Sequence, residues 1–197
     1  MIIFFIIQMK IGLFGGRFDP VHNGHIAIAR EILKLMLVDQ VWFIPDLQHQ
    51  WNPIIAPVGD RLNMLKLAVK NEQNIMLDTI AIDLGGSTEI YKVLQHLKRR
   101  YADEFVFIGG SDQLRTLSQW HYWAELVQTL PFLIVVRKGY PVINNPYLNI
   151  KIVEDLKYSP LEDSSTKIRA LLKKRESIKG LVHPDVEKYV MTKKLYS

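Results

Sequence analysis

The chain has 197 residues and a mass of 22.9 kDa, with 48% hydrophobic and 23% charged residues, a balance typical of globular rather than disordered proteins. It contains no cysteine, which excludes disulfide frameworks, thiolate zinc sites and cysteine nucleophiles. Its 25 Lys and Arg residues exceed its 20 Asp and Glu residues by 5, a mild basic excess that suits an anionic substrate or a nucleic acid and proves neither.

We expect no targeting signal in the first residues of this sequence. Residues 2–7 are apolar, but no positive segment precedes them, and the run is shorter than a secretory core of about 7–15 residues or a spanning helix of about 20. Met9 opens the stretch MKIGLFGG, so we expect residues 1–8 to be an extension and residues 9–197 to form one domain. An extra turn of strand and a disordered tail are the alternatives for residues 1–8. We expect a cytoplasmic protein without membrane contact.

Apolar runs of strand length alternate with amphipathic helical stretches along the chain. Strands are predicted at 10–14, 41–44, 75–82, 105–108, 132–136 and 150–153. Helices are predicted at 24–37, 61–69, 90–101, 166–174 and 185–191, and a tryptophan-rich helical piece lies between the fourth and fifth strands. Strands that are apolar throughout and are followed by helices indicate a doubly wound, mostly parallel α/β sheet of the Rossmann-like kind. Such sheets bind ligands beyond the carboxyl ends of their strands, which places a site in the loops after strands one, four and five.

The loop after the first strand, GGRFDPVHNGH at 15–25, is the most informative string in the chain, and we call it the first signature. Gly15 and Gly16 allow a close backbone approach to phosphate. His22 and His25 lie where a helix begins, a position whose free N–H groups and dipole favour anions. Two imidazoles that converge on one phosphate would stabilise charge that develops during phosphoryl or nucleotidyl transfer. A metal-binding histidine pair and a simple helix cap are the competing interpretations, although no carboxylate motif completes a metal site.

This string closely resembles the signature of the HxGH nucleotidylyltransferase superfamily. SSTKIR at 164–169, which we call the second signature, resembles the second motif of that superfamily. Over residues 9–197 the chain is most similar to the bacterial nicotinate mononucleotide adenylyltransferases. Further matching stretches are VWFIP at 41–45, RLNMLKLAV at 61–69, FIGGSDQL at 107–114, VVRKG at 135–139 and HPDVEKYVMTKKLY at 183–196.

The resemblance implies a role for each matching residue. It makes His22 and His25 catalytic. Because the sequence shows no dedicated carboxylate cage, we expect Mg²⁺ to arrive with ATP, with no metal site of the protein's own. The residues that it assigns to ATP are Gly15, Gly16, Arg17, Phe18, Gly24, Ser164, Ser165, Thr166 and Arg169. The residues that it assigns to the acceptor are Asp112, Trp120 and Arg137. If the resemblance is set aside, each of these residues also has a structural interpretation. The hydroxyls at 164–166 are good helix caps, and Asp112 could cap a helix as well. Trp120 could be a core residue, and Arg137 could be an ordinary charge at the end of a strand.

The chain departs from the family pattern at three places. Arg17 replaces the usual Thr or Ser, residues 46–52 replace a Pro-Pro-His-Lys segment, and residues 87–92 replace a Ser-Tyr-Thr segment. These changes fall mostly on the acceptor side. We therefore expect an adenylyltransferase that joins ATP to nicotinate mononucleotide, with nicotinamide mononucleotide or phosphopantetheine as alternative acceptors. If the protein is not an enzyme, the alternative is a non-catalytic nucleotide sensor. We expect no nucleic-acid partner. A homo-oligomer is left open.

Overall fold

A parallel sheet forms the centre of the fold. The structure, a computed structural model, describes residues 8–47, 54–85, 89–136, 140–142, 149–153 and 164–197. Six strands lie in the order β3-β2-β1-β4-β5-β6, and every neighbouring pair is parallel. Their bounds are β1 Lys10–Gly16, β2 Gln40–Pro45, β3 Ile75–Leu77, β4 Glu104–Gly110, β5 Phe132–Val135 and β6 Ile150–Val153. The predicted doubly wound α/β fold is confirmed, and the sixth predicted strand is present.

Helices follow the strands on both faces of the sheet. Those described are α1 Asn23–Lys34, α2 Val58–Val69, α3 Ile80–Asp83, α4 Ile90–Arg100, α5 Trp123–Thr129, α6 Ser165–Lys173 and α7 Pro184–Lys193. The tryptophan-rich piece consists of two single 3₁₀ turns, Gln113–Arg115 and Leu117–Gln119, followed by α5. Within the described ranges, every helix is too short or too polar to span a lipid bilayer.

Two hydrophobic cores lie on opposite faces of the sheet because side chains alternate along each strand. Phe14 and Phe43 point into the core that also holds the buried faces of α1, α2, α6 and α7. Leu13 and Ile44 point into the other core, which α3, α4 and α5 cover. Each strand of the centre is therefore apolar on both sides, which explains the unbroken apolar runs in the sequence.

The third strand is shorter than the sequence predicted. The run 75–82 was expected to be one strand, but β3 ends at Leu77 and α3 begins at Ile80. Asp78 changes the direction of the chain there, because its carboxylate accepts a hydrogen bond from the Ile80 N–H at 2.7 Å. The prediction was wrong because the Asp78 side chain forms a local turn with the backbone two residues on, which competes with continuation of the strand.

The strand order reverses between the paired strands β1 and β4, so the connections that follow them run in opposite directions and leave a crevice at their carboxyl ends. Both strands end in a glycine pair, Gly15-Gly16 and Gly109-Gly110. A β-carbon built on Gly109 would lie 2.6 Å from the Phe107 ring, so a side chain does not fit there. The fold therefore places the first signature and the loop after β4 at one crevice.

Candidate active site

The first signature forms the turn that links β1 to α1. Gly16 ends the strand, the Asp19–Pro20 peptide is cis, and His22 is the N-cap of α1 in an extended conformation. Asn23 anchors the start of the helix, since its backbone and side-chain amides donate to the carbonyls of Leu181 and Gly180 at 2.9 and 2.8 Å. The N-terminus of α1, the positive end of its dipole, therefore lies at the carboxyl end of the central strand.

The two histidines of the first signature lie side by side. Their ring centroids are 3.8 Å apart and the rings are tilted by 35°. The backbone N–H of His22 donates to His25 Nδ1 at 3.2 Å, so Nδ1 is an acceptor. A neutral His25 ring therefore carries its proton on Nε2, where it can donate a hydrogen bond. The rings of Phe14 and Phe18 pack edge-to-face against the His25 ring and fix its position, with centroids 5.9 and 5.0 Å away.

Phe18 and Gly24, which were both assigned to ATP, differ in which of their atoms can contact a ligand. Phe18 is only 2% exposed and packs against Phe14, Phe43 and His25, so its side chain belongs to the core and supports His25. Only its backbone, held at a left-handed φ of 48°, can face a nucleotide. Gly24 is buried in the first turn of α1, where the absence of a side chain keeps the helix start open to a close approach.

The second signature forms the first turn of α6 and is bonded to the first signature. Ser164 is the N-cap and accepts from the Lys167 N–H at 3.1 Å, whereas Thr166 is exposed. The Ser165 hydroxyl donates to the Pro20 carbonyl at 2.8 Å. Arg169 donates from Nη1 to the Asp19 carbonyl at 2.7 Å. Two segments about 150 residues apart in the chain therefore share one turn, and both helices begin beside it.

The positive side chains of Arg17 and Arg169 lie close together at this turn. Burial lowers the pKa of Arg17, and the neighbouring Arg169 guanidinium lowers that pKa further, while Asp19 and Asp46 oppose the shift. Two guanidinium groups held close together repel each other unless an anion lies between them. The turn thus combines two helix N-termini, two histidines and two arginines, an arrangement that is suited to a polyphosphate.

Asp46, the first residue after β2, is a carboxylate that sequence reasoning missed as a site residue. Burial raises its pKa to about 7, although the charges of Arg61 and Arg17 act in the opposite direction. Its backbone N–H donates to the Gly16 carbonyl at 2.9 Å, so it lies beside the end of β1. An acidic residue directly after a buried strand, at the carboxyl edge of the sheet, was the available signal.

The raised pKa of Asp46 predicts a pH-dependent stability. The folded protein binds a proton at Asp46 between about pH 4 and pH 7 that the unfolded chain does not bind, so this residue lowers stability as pH rises through that range. Asp46→Asn removes the effect, and its Tm relative to wild type should increase by about 3 °C or more from pH 5 to pH 8. Thermal scans measure this, with the exposed Glu125→Gln as the control. An Asp46→Asn difference that is the same at both pH values would contradict the raised pKa.

Residues assigned to the acceptor flank the other side of the crevice. Asp112 follows β4 at the start of the first 3₁₀ turn and is partly buried. Trp120 is partly buried too, and its ring packs edge-to-face on Phe107 with the centroids 5.5 Å apart. The tryptophan therefore belongs in part to the core while keeping some exposed surface. Arg137 lies outside the described residues, as does most of the altered segment at 46–52.

The residues that the structure describes contain no group of three or more His, Asp or Glu side chains placed to hold a metal ion. Asp19, the carboxylate within the first signature, is 1% exposed. Its oxygens already accept from the N–H groups of Ile55 and Ala56 and from the Tyr196 hydroxyl. A resident metal held by Asp19 does not fit this arrangement.

Comparison with known proteins identifies the family. Residues 13–171 match the model of the cytidylyltransferase-like family. The nicotinate-nucleotide adenylyltransferase of Bacillus subtilis is 34% identical over 192 residues, which cover 95% of this chain and 98% of that protein. The chain belongs to the cytidylyltransferase-like family. It is a nucleotidyltransferase, as the first and second signatures predicted.

Solved structures confirm the fold. The nicotinic acid mononucleotide adenylyltransferase of Plasmodium falciparum in complex with NaAD has a TM-score of 0.78 and is 22% identical, with 96% of this chain and 98% of that chain covered. The same enzyme in complex with APC has a TM-score of 0.75, at the same identity and coverage. The Rossmann-like architecture of the nucleotidylyltransferases is therefore common to this chain and these enzymes.

Proposed function

We propose that the protein joins ATP and nicotinate mononucleotide to give nicotinate adenine dinucleotide and pyrophosphate. The observation that carries the proposal is the junction of the two signatures at the carboxyl end of β1, where Ser165 and Arg169 bond to the Pro20 and Asp19 carbonyls. The relatives support the choice of acceptor, since the B. subtilis protein is named for nicotinate nucleotide and the P. falciparum enzyme was solved with NaAD.

The reaction needs no covalent enzyme intermediate. An oxygen of the acceptor's phosphate attacks the α-phosphorus of ATP in line, the new P–O bond forms, and the bond to the bridging oxygen of pyrophosphate breaks. Catalysis then depends on positioning and on stabilising the charge of the five-coordinate phosphorus. With Nδ1 of His25 occupied as an acceptor, its Nε2 would donate to an α- or β-phosphate oxygen, and the adjacent His22 ring would contact the same phosphates.

The ATP residues divide between the two signatures. Gly15, Gly16 and Gly24 would let backbone N–H groups approach the phosphates. Arg17 supplies charge where the family has a hydroxyl. Ser164, Ser165, Thr166 and Arg169 would hold the β- and γ-phosphates at the N-terminus of α6. The dipole of that helix and the Arg169 guanidinium, which is bonded to the Asp19 carbonyl, support this placement.

The acceptor would lie on the β4 side of the crevice. Trp120 would stack on the pyridine ring, Asp112 would accept from hydroxyl groups at the nucleotide site, and Arg137 would contact the acceptor from the end of β5. The partial exposure of Asp112 and Trp120 supports this, because both side chains keep surface at the carboxyl ends of the strands.

Mg²⁺ would enter bound to the phosphates of ATP. The ion would supply charge neutralisation of the polyphosphate, with phosphate oxygens and water as its ligands. Both Asp19 carboxylate oxygens already accept hydrogen bonds. This supports an ion that arrives with the substrate rather than an ion that the protein holds. We further propose that residues 9–197 act as one domain and that the reaction takes place in the cytoplasm, where ATP is available.

The test is pyrophosphate release by the purified protein with ATP, Mg²⁺ and one acceptor at a time. Nicotinate mononucleotide should give a kcat/KM at least about tenfold above nicotinamide mononucleotide and phosphopantetheine, since recognition of a carboxylate by a positive site is worth at least that much. Faster release with another acceptor would assign the altered segments 46–52 and 87–92 to a different specificity. Nucleotide binding with no release in any mixture would favour a sensor.

A further inference from the structure

Asp19 connects the first signature to three other parts of the chain through hydrogen bonds. Its carboxylate accepts from the Ile55 N–H at 2.7 Å and from the Ala56 N–H at 3.0 Å, in the segment that precedes α2. Its Oδ1 also accepts from the Tyr196 hydroxyl at 2.7 Å. Its carbonyl accepts from Arg169 at 2.7 Å. The residue is 1% exposed, and its bonds to Ala56 and Tyr196 are buried, where neighbouring hydrogen bonds strengthen each other.

Tyr196 reaches Asp19 from the segment that follows α7. The chain leaves that helix through Lys194 at a φ of 52°, and Tyr196 itself is at a φ of 67°. A left-handed conformation is unfavourable for an aromatic residue and persists only where the surroundings impose it. The tyrosine is 8% exposed and packs in the core on the α1 face of the sheet, with its hydroxyl on the carboxylate. Burial and the carboxylate both raise the pKa of this hydroxyl, so it remains a donor.

The turn held by Asp19 is the same turn that the proposed triphosphate site uses. Arg61 is fully buried and supports this turn. Its Nη1 donates to the Arg17 carbonyl at 2.7 Å. Asp19 and Arg61 thus fix the backbone on both sides of Phe18. If the Asp19 carboxylate shifts, its carbonyl and the Arg169 side chain that donates to it shift as well.

We propose that Tyr196 is a positioning residue for the triphosphate of ATP. Its hydroxyl fixes the Asp19 carboxylate, and Asp19 in turn fixes the Arg169 guanidinium and the first signature. Tyr196 does not touch the substrate; it acts through Asp19. The inference rests on the proposed function to the extent that ATP is the ligand of this turn.

Tyr196→Phe tests the proposal because it removes the hydroxyl and keeps the buried ring. The matched control is Tyr189→Phe. The Tyr189 hydroxyl also donates to a carboxylate, that of Asp60 at 2.7 Å, and it accepts from the Asn63 amide at 3.0 Å, so its hydrogen bonds link α7 to α2. Both variants therefore lose one tyrosine-to-carboxylate hydrogen bond in the same part of the chain.

The readouts are KM for ATP, KM for nicotinate mononucleotide, kcat and Tm. Tyr196→Phe should raise KM for ATP by about fivefold or more and lower kcat, because a hydrogen bond to a buried carboxylate is lost and the site loosens. The acceptor's KM should stay within about twofold in Tyr196→Phe. Tyr189→Phe should leave all three kinetic values within about twofold, whatever its Tm. Unchanged ATP values in Tyr196→Phe, or equal changes in both variants, would overturn the proposal.

Calorimetric titration with ATP and Mg²⁺, without an acceptor, separates this inference from the proposed function. If wild type binds ATP but releases no pyrophosphate with any acceptor, the proposed function fails. The positioning role then still predicts that Tyr196→Phe binds ATP about fivefold more weakly than Tyr189→Phe. Equal ATP binding by the two variants would overturn the positioning role, even in an active enzyme.

Discussion

Replacing His25 with alanine is expected to lower kcat about 10³-fold while KM for ATP changes much less. The loss follows from the position of the ring: Nδ1 accepts the His22 N–H, which leaves Nε2 to donate to the α-phosphate in the proposed complex. Removing one preorganised donor to charge that develops in a transition state costs about 10²–10³ in kcat. Steady-state pyrophosphate release with nicotinate mononucleotide measures the effect.

His25→Asn separates catalysis from helix capping. The asparagine oxygen can accept the His22 N–H in place of Nδ1, so the start of α1 keeps its cap, but no donor remains in the place of Nε2. We expect His25→Asn to be as inactive as His25→Ala. His96→Ala, on α4, should retain kcat within about twofold because it lies outside the two signatures. Recovery of activity in His25→Asn would show that the histidine only caps the helix.

Replacing Arg169 with alanine is expected to lower kcat/KM for ATP by about 10²-fold, mainly through KM. The substitution removes a charged donor from the proposed triphosphate site. It also leaves the Asp19 carbonyl without its partner and so loosens the bond between the two signatures. ATP titration of the initial rate at saturating acceptor measures both constants.

Arg169→Lys and Lys173→Ala show which property of the arginine matters. Lysine keeps the charge but cannot bond to the Asp19 carbonyl and the Thr166 hydroxyl with one planar fork, so an intermediate loss is expected. Lys173 lies on the same helix with an exposed side chain, and its removal should change kcat/KM by less than about twofold. A Lys173→Ala loss as large as that of Arg169→Ala would indicate a diffuse electrostatic effect instead of a specific site.

The fold could be predicted from the sequence because its strands are buried on both faces. Unbroken apolar runs such as residues 105–108 belong to a covered parallel sheet, and the structure places them there. The strand order could not be read from these runs, since each strand presents similar apolar faces to either neighbour. The end of β3 at Leu77 was missed because one hydrogen bond of the Asp78 side chain decides it.

The two signatures could be found because their residue types are local and unusual: glycines, a histidine pair and a run of hydroxyls. The contacts that hold them could not be found. Asp19 bonds to Tyr196 across 177 residues and to Arg169 across 150, and nothing in the local sequence of either partner indicates the other. Arg61 lies in an amphipathic helix, where an arginine is ordinarily on the exposed face, yet it is fully buried under the Arg17 carbonyl. Side chains that support a site therefore required the structure.

The most direct test of adenylyl transfer follows the α-phosphate of ATP. The purified protein is incubated with Mg²⁺, nicotinate mononucleotide and ATP labelled at the α-phosphorus, and the products are separated. Attack on the α-phosphorus predicts that the label appears in nicotinate adenine dinucleotide, in a one-to-one ratio with unlabelled pyrophosphate, and that His25→Asn forms about 10³-fold less of both. Label recovered only in AMP, or retained in ATP after complete incubation, would contradict the account.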